Sequence, residues 1–194
     1  MINLLTITNH LFSSITYLLS SRETDSAWLI DCGDVERIPD NIIVNGVLLT
    51  HTHFDHIYGL NLLLDKYPRI TVYTNEYGRE ALLNPRLNLS RYHEGVPDFV
   101  LNQPQAISLI SDDHPIKLFN RIVRTWSTPG HDQSCMSYLI DRFLFTGDSY
   151  IPGIEVVTSF PHSNKARALE SQSFLCDLGR CHIVCPGHNL KSNE

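Results

Sequence analysis

The sequence lacks the features that mark membrane-spanning and nucleic-acid-binding proteins. None of its apolar runs approaches the roughly 20 residues that a transmembrane helix requires. Its 15 lysines and arginines are scattered along the chain and are outnumbered by 21 aspartates and glutamates. Because the phosphates of a nucleic acid need clustered cations, we expect neither a nucleic-acid partner nor a membrane partner.

The sequence also lacks the cysteine pattern of a secreted protein. Its five cysteines are odd in number and show no framework spacing, which is typical of reduced cytosolic thiols. The apolar start, MINLLTITNHLFSSITYLLSS, is interrupted by polar residues and is followed by the first basic residue only at Arg22. An export signal begins with positive charge, so we predict a cytoplasmic protein.

No linker rich in proline, glycine or serine divides the chain, and 194 residues are enough for one domain with a core. Short apolar runs such as LLTIT and ITYLLS predict a strand-rich start. Helical spacing in HIYGLNLLLDKY, EYGREALLN and NKARALESQSFLCDLG predicts three helices. Residues 86–113 show no clear pattern and are interpreted as a loop-rich insertion or lid. We therefore predict a single α/β domain over residues 1–194.

The stretch HTHFDH places three histidines and an aspartate directly after the strand-like VLLT. Such donors are costly to bury unless they bind something, and a metal is the natural candidate. In an extended chain His51 and His53 share one face, whereas the following turn presents Asp55 and His56 from another direction. One metal could take the first pair and a second metal the other, each still needing a third protein ligand.

Further donors follow three predicted strands downstream. STPGH supplies His131, FTGDS supplies Asp148, and CPGH supplies His188. The repeated Pro-Gly-His sequence suggests two related halves, and a carboxylate at Asp148 could bridge two cations. We therefore predict a site for two metals, with a position left for water, built from seven residues: His51, His53, Asp55, His56, His131, Asp148 and His188.

These motifs, in this order, resemble those of the metallo-β-lactamase superfamily, and within it the glyoxalase II-like hydrolases. The resemblance extends from LIDCGD to CPGH. It implies an αββα sandwich of two mixed sheets flanked by helices, with the metals at the edge of the two sheets. The order of strands and helices in that α/β fold agrees with the order that the sequence pattern predicts for this chain.

The resemblance also implies how the donors divide between the metals. The first metal is assigned His51, His53 and His131, the second Asp55, His56 and His188, and Asp148 is the bridge. Asp31, in LIDCGD, is implied to orient ligands from behind the site. An ordinary role for Asp31 in a turn or helix cap is an equal alternative.

The predicted chemistry is metal-assisted hydrolysis. Two divalent metal ions, with Zn²⁺ expected and iron or manganese able to substitute, lower the pKa of a shared water so that hydroxide exists near neutral pH. Asp55 and Asp148 are the predicted catalytic residues, because either carboxylate can hydrogen-bond to this hydroxide. The expected substrate is a small-molecule ester or thioester, as in glyoxalase II. An iron-dependent persulfide dioxygenase, a β-lactam or lactone hydrolase, and a non-enzymatic metal-binding protein stay as alternatives.

The chain departs from glyoxalase II after FTGDS. It reads YIPGIEVVTSFPHSNK there, without the Gly-Cys-Gly-Lys/Arg-like stretch that contacts glutathione in that enzyme. We therefore expect glutathione thioesters to be poor substrates. The predicted pocket walls are residues 86–105 and 150–164, and His93 is a candidate substrate contact for which a packing role is the favoured alternative. No pattern indicates the oligomeric state.

Overall fold

The computed structural model describes residues 2–21 and 24–189, which form two mixed β-sheets. The first sheet has the spatial order β1-β2-β3-β4-β5-β6, and its strands are β1 (Ile2–Thr8), β2 (Ile15–Ser21), β3 (Thr24–Ile30), β4 (Ile43–Leu48), β5 (Thr71–Thr74) and β6 (Ile107–Leu109). The second sheet has the order β11-β10-β9-β8-β7, and its strands are β7 (Ile116–Leu118), β8 (Arg121–Ser127), β9 (Met136–Ile140), β10 (Phe143–Gly147) and β11 (Ile183–Pro186).

The three predicted helices are confirmed as α1 (Leu60–Lys66), α2 (Glu76–Leu82) and α3 (Lys165–Gly179). Asn75 and Asn164 begin α2 and α3, and the side chain of each accepts a hydrogen bond from a backbone N–H of the first turn. The helix α1 ends just before Pro68, since the residue preceding a proline is disfavoured in helical conformation. It starts later than predicted, because Phe54–His56 form a separate 3₁₀ turn.

Two main apolar layers give the molecule its αββα arrangement. Between the two sheets lie side chains from both, among them Leu19, Leu48, Tyr138 and Phe145. A second layer packs α1 against the outer face of the first sheet, and a smaller cluster around Leu175 packs α3 against the second. The predicted fold class is confirmed. Along residues 2–21 and 24–189, none of the helices is long and apolar enough to cross a membrane.

The interpretation of residues 86–113 as a loop-rich insertion was incomplete. This segment contains β6, which pairs in parallel with β5 through Val72 and Ile107. Phe99 and Leu101 of the same segment are buried in the core, and the N–H of Leu101 donates to the carbonyl of Leu82. The segment is therefore packed onto the first sheet and its helices. Its strand was missed because three residues are too few to show an alternating pattern.

The topology brings the carboxyl ends of strands from both sheets to one edge. In the first sheet β3 and β4 are parallel, and in the second β10 and β11 are parallel. The sheets are tied together at this edge, where the N–H of Met136 donates to the carbonyl of Thr50 and the Tyr138 hydroxyl donates to that of Leu49. Residues that follow these strand ends therefore lie close together, although they are far apart in the chain.

Candidate metal centre

The seven predicted donors converge at this edge in three overlapping groups. Within each group the donor atoms lie within 4.8 Å of one another. The groups are His51, His53 and His131; His51, His56 and Asp148; and Asp55, His56 and His188. The first and third match the two sets that the family resemblance implied, and the middle group places Asp148 between them. The structure thus brings all seven residues together, while their role as metal ligands stays a prediction.

In three of the histidines, Nδ1 is hydrogen-bonded to a carbonyl or carboxylate oxygen outside the cluster. His131 and His188 donate Nδ1–H to the carbonyls of Val157 and Phe12, each at 2.9 Å. His56 donates to the carboxylate of Asp31 at 2.9 Å. Because a carbonyl or carboxylate oxygen only accepts, the proton of each neutral ring is on Nδ1 and the Nε2 lone pair faces inward. This is the tautomer in which Nε2 can bind a metal.

Two pairs of inward-facing ring nitrogens face each other. Nε2 of His56 lies 3.1 Å from Nε2 of His188, and Nε2 of His131 lies 3.0 Å from Nδ1 of His53. Two facing lone pairs repel each other unless a proton or a cation lies between them. In addition, Nε2 of His51 and Oδ1 of Asp148 are buried without a hydrogen-bond partner in the described part of the chain. The donor set therefore fits metal ions, which would satisfy all of these atoms at once.

The pKa values divide the cluster into two parts. Burial lowers the pKa of His51 well below its usual value, and burial together with the charge of His131 lowers that of His53 to about 4. Burial also opposes charge on His56 and His188, but nearby carboxylates outweigh it and raise their pKa values to about 9 and about 10. The half of the cluster that holds the carboxylates is therefore the more negative, and a cation would replace the protons there.

Asp148 lies near histidines of both predicted ligand sets. Its Oδ2 lies 3.3 Å from Nε2 of His188 and 3.6 Å from Nε2 of His131, and its Oδ1 lies 3.8 Å from Nε2 of His56. Burial raises the pKa of Asp148, yet the hydrogen bond from His188 and the nearby histidine charges hold it well below its usual value. An ionised carboxylate in this position is suited to bridging two cations.

The two Pro-Gly-His turns need glycine for close approach. A Cβ on Gly187 would lie 2.1 Å from Oδ1 of Asp148, so any side chain there would displace the carboxylate. Gly130 has φ of 141°, and a Cβ on it would lie 2.3 Å from the backbone of Ala168 in α3. Glycine is therefore required in the two turns for different reasons: at Gly187 to leave room for a carboxylate of the cluster, and at Gly130 to leave room for the backbone of α3.

A cavity of about 270 Å³ opens onto the cluster. One wall is the segment 151–160, which also supports a donor, because the carbonyl of Val157 accepts from His131. The ring of Phe160 packs against the rings of His53 and His131 at 5.1 and 5.5 Å between centroids. From residues 86–105 only Leu89 and His93 reach the cavity within the described chain. Both predicted segments thus line the cavity, and the segment 151–160 contributes more residues than 86–105 does.

Comparison with known proteins agrees with this arrangement. The family profile described as the metallo-beta-lactamase superfamily matches residues 14–188. The chain belongs to the metallo-β-lactamase superfamily. Among solved structures of this superfamily, the B3 metallo-β-lactamase BLEG-1 superposes with a TM-score of 0.85 at 24% identity, covering 98% of this chain and 92% of that one. This likeness shows the fold.

The curated relatives that this chain matches are longer proteins, and the match covers only part of each. A hydroxyacylglutathione hydrolase of Pseudoalteromonas translucida is 26% identical over 144 residues, which cover 71% of this chain and 46% of the relative. A probable metallo-hydrolase of Streptococcus pyogenes serotype M6 is 29% identical over 147 residues, covering 73% of this chain and 62% of the relative. The matched parts thus span about half to three fifths of these relatives.

Two residues behind this superfamily site deserve comparison, because only one was predicted. Asp31 accepts from His56 and also from the N–H and hydroxyl of Thr50, each at 2.7 Å, so it has contacts that would orient a ligand. Asp132 was missed. Its buried carboxylate lies 3.8 Å from Nε2 of His53 and accepts from the N–H and hydroxyl of Ser134. Its only signal in the sequence was its position directly after His131.

Proposed function

We propose that this protein is a dinuclear metallo-hydrolase that cleaves an ester or thioester bond in a small molecule. The observation that carries the proposal is the set of inward-facing imidazole lone pairs around two acidic side chains. The facing nitrogens of His56–His188 and of His53–His131 are about 3 Å apart, so each pair needs a proton or a cation between its lone pairs, and metal ions meet this need at both pairs. The metal is proposed to be zinc, and the ligands are the seven residues named above.

Two divalent cations in such a site supply an activated water near neutral pH and stabilise negative charge on a carbonyl oxygen. The chain's own residues provide the rest. Oδ2 of Asp55 lies 3.4 Å from Nε2 of both His56 and His188, so this carboxylate is within the donor cluster and next to the cavity. Asp55 and Asp148 would hold the proton of the attacking water, and the cavity would keep bulk water from the acyl group.

Ester or thioester cleavage is favoured by the curated relatives. Several are named hydroxyacylglutathione hydrolases, at identities of 22–29%. Because this chain covers only part of each, hydrolysis of an acyl compound is transferred as a reaction class and glutathione is not transferred as the substrate. A cytoplasmic location and a single domain over residues 1–194 accompany the proposal as predictions.

The deciding experiment combines metal analysis with a substrate screen. We expect two metal ions per chain after reconstitution in excess zinc, measured by elemental analysis, and hydrolysis of simple esters or thioesters that a chelator abolishes. Less than one metal per chain would overturn the proposal. One iron per chain with oxygen consumption on a persulfide would instead identify the dioxygenase alternative, and turnover of a β-lactam alone would identify a lactamase.

Metal binding should also raise thermal stability. At a free metal concentration 100 times the dissociation constant, a ligand that binds only the folded state stabilises it by about 2.7 kcal/mol. For a domain of this size that corresponds to a rise in Tm of roughly 5–10 °C. We expect this rise with Zn²⁺ in a thermal melt of the metal-free protein. Ca²⁺ is the control, since it prefers an all-oxygen site; equal effects of the two ions would contradict a site built on imidazole.

A further inference from the structure

The cavity above the metal centre is walled by apolar side chains from four separate parts of the chain. Phe12 comes from the β1–β2 loop, Phe54 from the turn after β4, and Leu89 from the segment that follows α2. The fourth part is the segment 151–160, which contributes Ile151, Ile154 and Phe160. A group that enters this space beside the metal centre is therefore surrounded mainly by carbon, at a volume near the lower end for small-molecule pockets.

The polar groups of the cavity outside the seven donors carry no fixed positive charge. Among the lining residues of the described chain they are His93 and Glu155, with no lysine or arginine. The ring of His93 is packed between Phe12 and Phe54, at 5.2 and 4.5 Å between centroids. Glu155 is exposed and borders the cavity. Among the described lining residues, a negatively charged substituent would therefore find no lysine or arginine and would lie near the acidic Glu155.

We propose that the substrate of this site is a small ester or thioester whose acyl or aryl group is apolar and bears no negative charge. Glu155 disfavours anionic substrates and favours cationic ones of the same shape. This inference rests on the proposed function, since it names the substrate class of the same centre.

The physical basis is the cost of leaving a charge unpaired. Moving a carboxylate from water into an apolar space without a partner costs far more than the packing gained by the rest of the molecule. A glutathione thioester carries two carboxylates, both placed away from the scissile carbonyl. The metal ions themselves attract anions that lie close to them. The inference therefore concerns a charge on the part of the substrate away from the scissile carbonyl, beside the apolar wall and Glu155.

The test uses three aryl thioesters of matched size that carry a tert-butyl, a carboxylate or a trimethylammonium group at the far end of the ring. We expect kcat/KM of the zinc-loaded enzyme to be at least ~10²-fold higher for the uncharged thioester than for the carboxylate. In Glu155→Gln, kcat/KM should rise about three- to fivefold for the carboxylate and fall by a similar factor for the ammonium compound, the scale of an exposed charge pair. The uncharged thioester should be unaffected.

The matched control is Asp40→Asn, which also removes one exposed carboxylate. Asp40 precedes β4 and pairs with Lys66, at the opposite end of that strand from the metal centre. It should leave all three rate constants unchanged. Equal effects of the two variants would show a general change in net charge and would overturn the role of Glu155.

Binding separates this inference from the proposed function. Amides of the same three shapes react far more slowly than thioesters, so their affinities can be measured by titration calorimetry. If no thioester is cleaved but the amides bind in the expected order, the hydrolase proposal fails and the preference of the cavity for uncharged, apolar groups stands. If thioesters are cleaved and the carboxylate or S-lactoylglutathione is preferred, the substrate class is wrong.

Discussion

Asp148→Asn is expected to lose one of the two metal ions and to lower turnover by at least ~10²-fold. The substitution keeps the shape of the side chain but removes the negative charge that lies within 4 Å of histidines from both halves of the cluster. Its amide N–H₂ would also present donors to nitrogen lone pairs that should bind metal. The measurements are metal content per chain by elemental analysis and kcat on the best ester or thioester from the screen.

Asp141→Asn is the matched control for this variant. Asp141 is exposed in the turn before β10, at the end of the strand opposite to Asp148. It has φ of 56°, a left-handed conformation that asparagine tolerates well. We expect full metal content and full activity in this control. Two metal ions and an unchanged kcat in Asp148→Asn itself would show that the carboxylate does not bridge.

Asp31→Asn should weaken metal binding by roughly 10- to 100-fold, although the side chain of Asp31 is not one of the predicted metal ligands. The carboxylate now accepts Nδ1–H of His56, which leaves Nε2 of that ring free to bind. An amide nitrogen in this position donates instead, so His56 would shift its proton to Nε2 and lose the lone pair that faces the cluster. The readout is the dissociation constant for Zn²⁺, measured by competition with a chromogenic chelator.

Asparagine is the suitable replacement because Asp31 has φ of 58°. Alanine would add backbone strain there, whereas asparagine adopts this conformation readily. Asp25→Asn, at an exposed position in the same strand-forming segment, is the control and should bind zinc like the unaltered protein. Unchanged zinc affinity in Asp31→Asn would mean that Asp31 serves only the turn, the alternative that the sequence left open.

One wall of the cavity also contacts the predicted metal ligands, and this limits where substrate choice can be changed by itself. The segment 151–160 lines the cavity, and through Val157 and Phe160 it contacts His131 and His53. A substitution at Phe160 would therefore alter both substrate fit and the support of two donors. Glu155 is exposed and is not among these contacts, which makes it the better position for testing substrate choice alone.

The sequence by itself determined the fold class and the residues that assemble at the centre. The donors in HTHFDH, TPGH, FTGDS and CPGH each come after a strand whose apolar pattern can be recognised over a few residues. The donors were expected to meet because each stands at a strand end and because the four motifs, in this order, resemble those of the metallo-β-lactamase superfamily. Helix positions followed equally from spacing, with Asn75, Asn164 and Pro68 marking ends through local chemistry.

Only the tertiary structure decided what surrounds the centre. The partner of His188 is the carbonyl of Phe12, 176 residues away in the chain, and no local pattern specifies that contact. The same holds for β6, whose three residues become a strand only because β5 lies beside them. Asp132, Glu155 and the apolar wall gain their roles from neighbours distant in sequence. Periodicity reports which face a residue occupies, whereas the identity of the group opposite it depends on how separate segments pack.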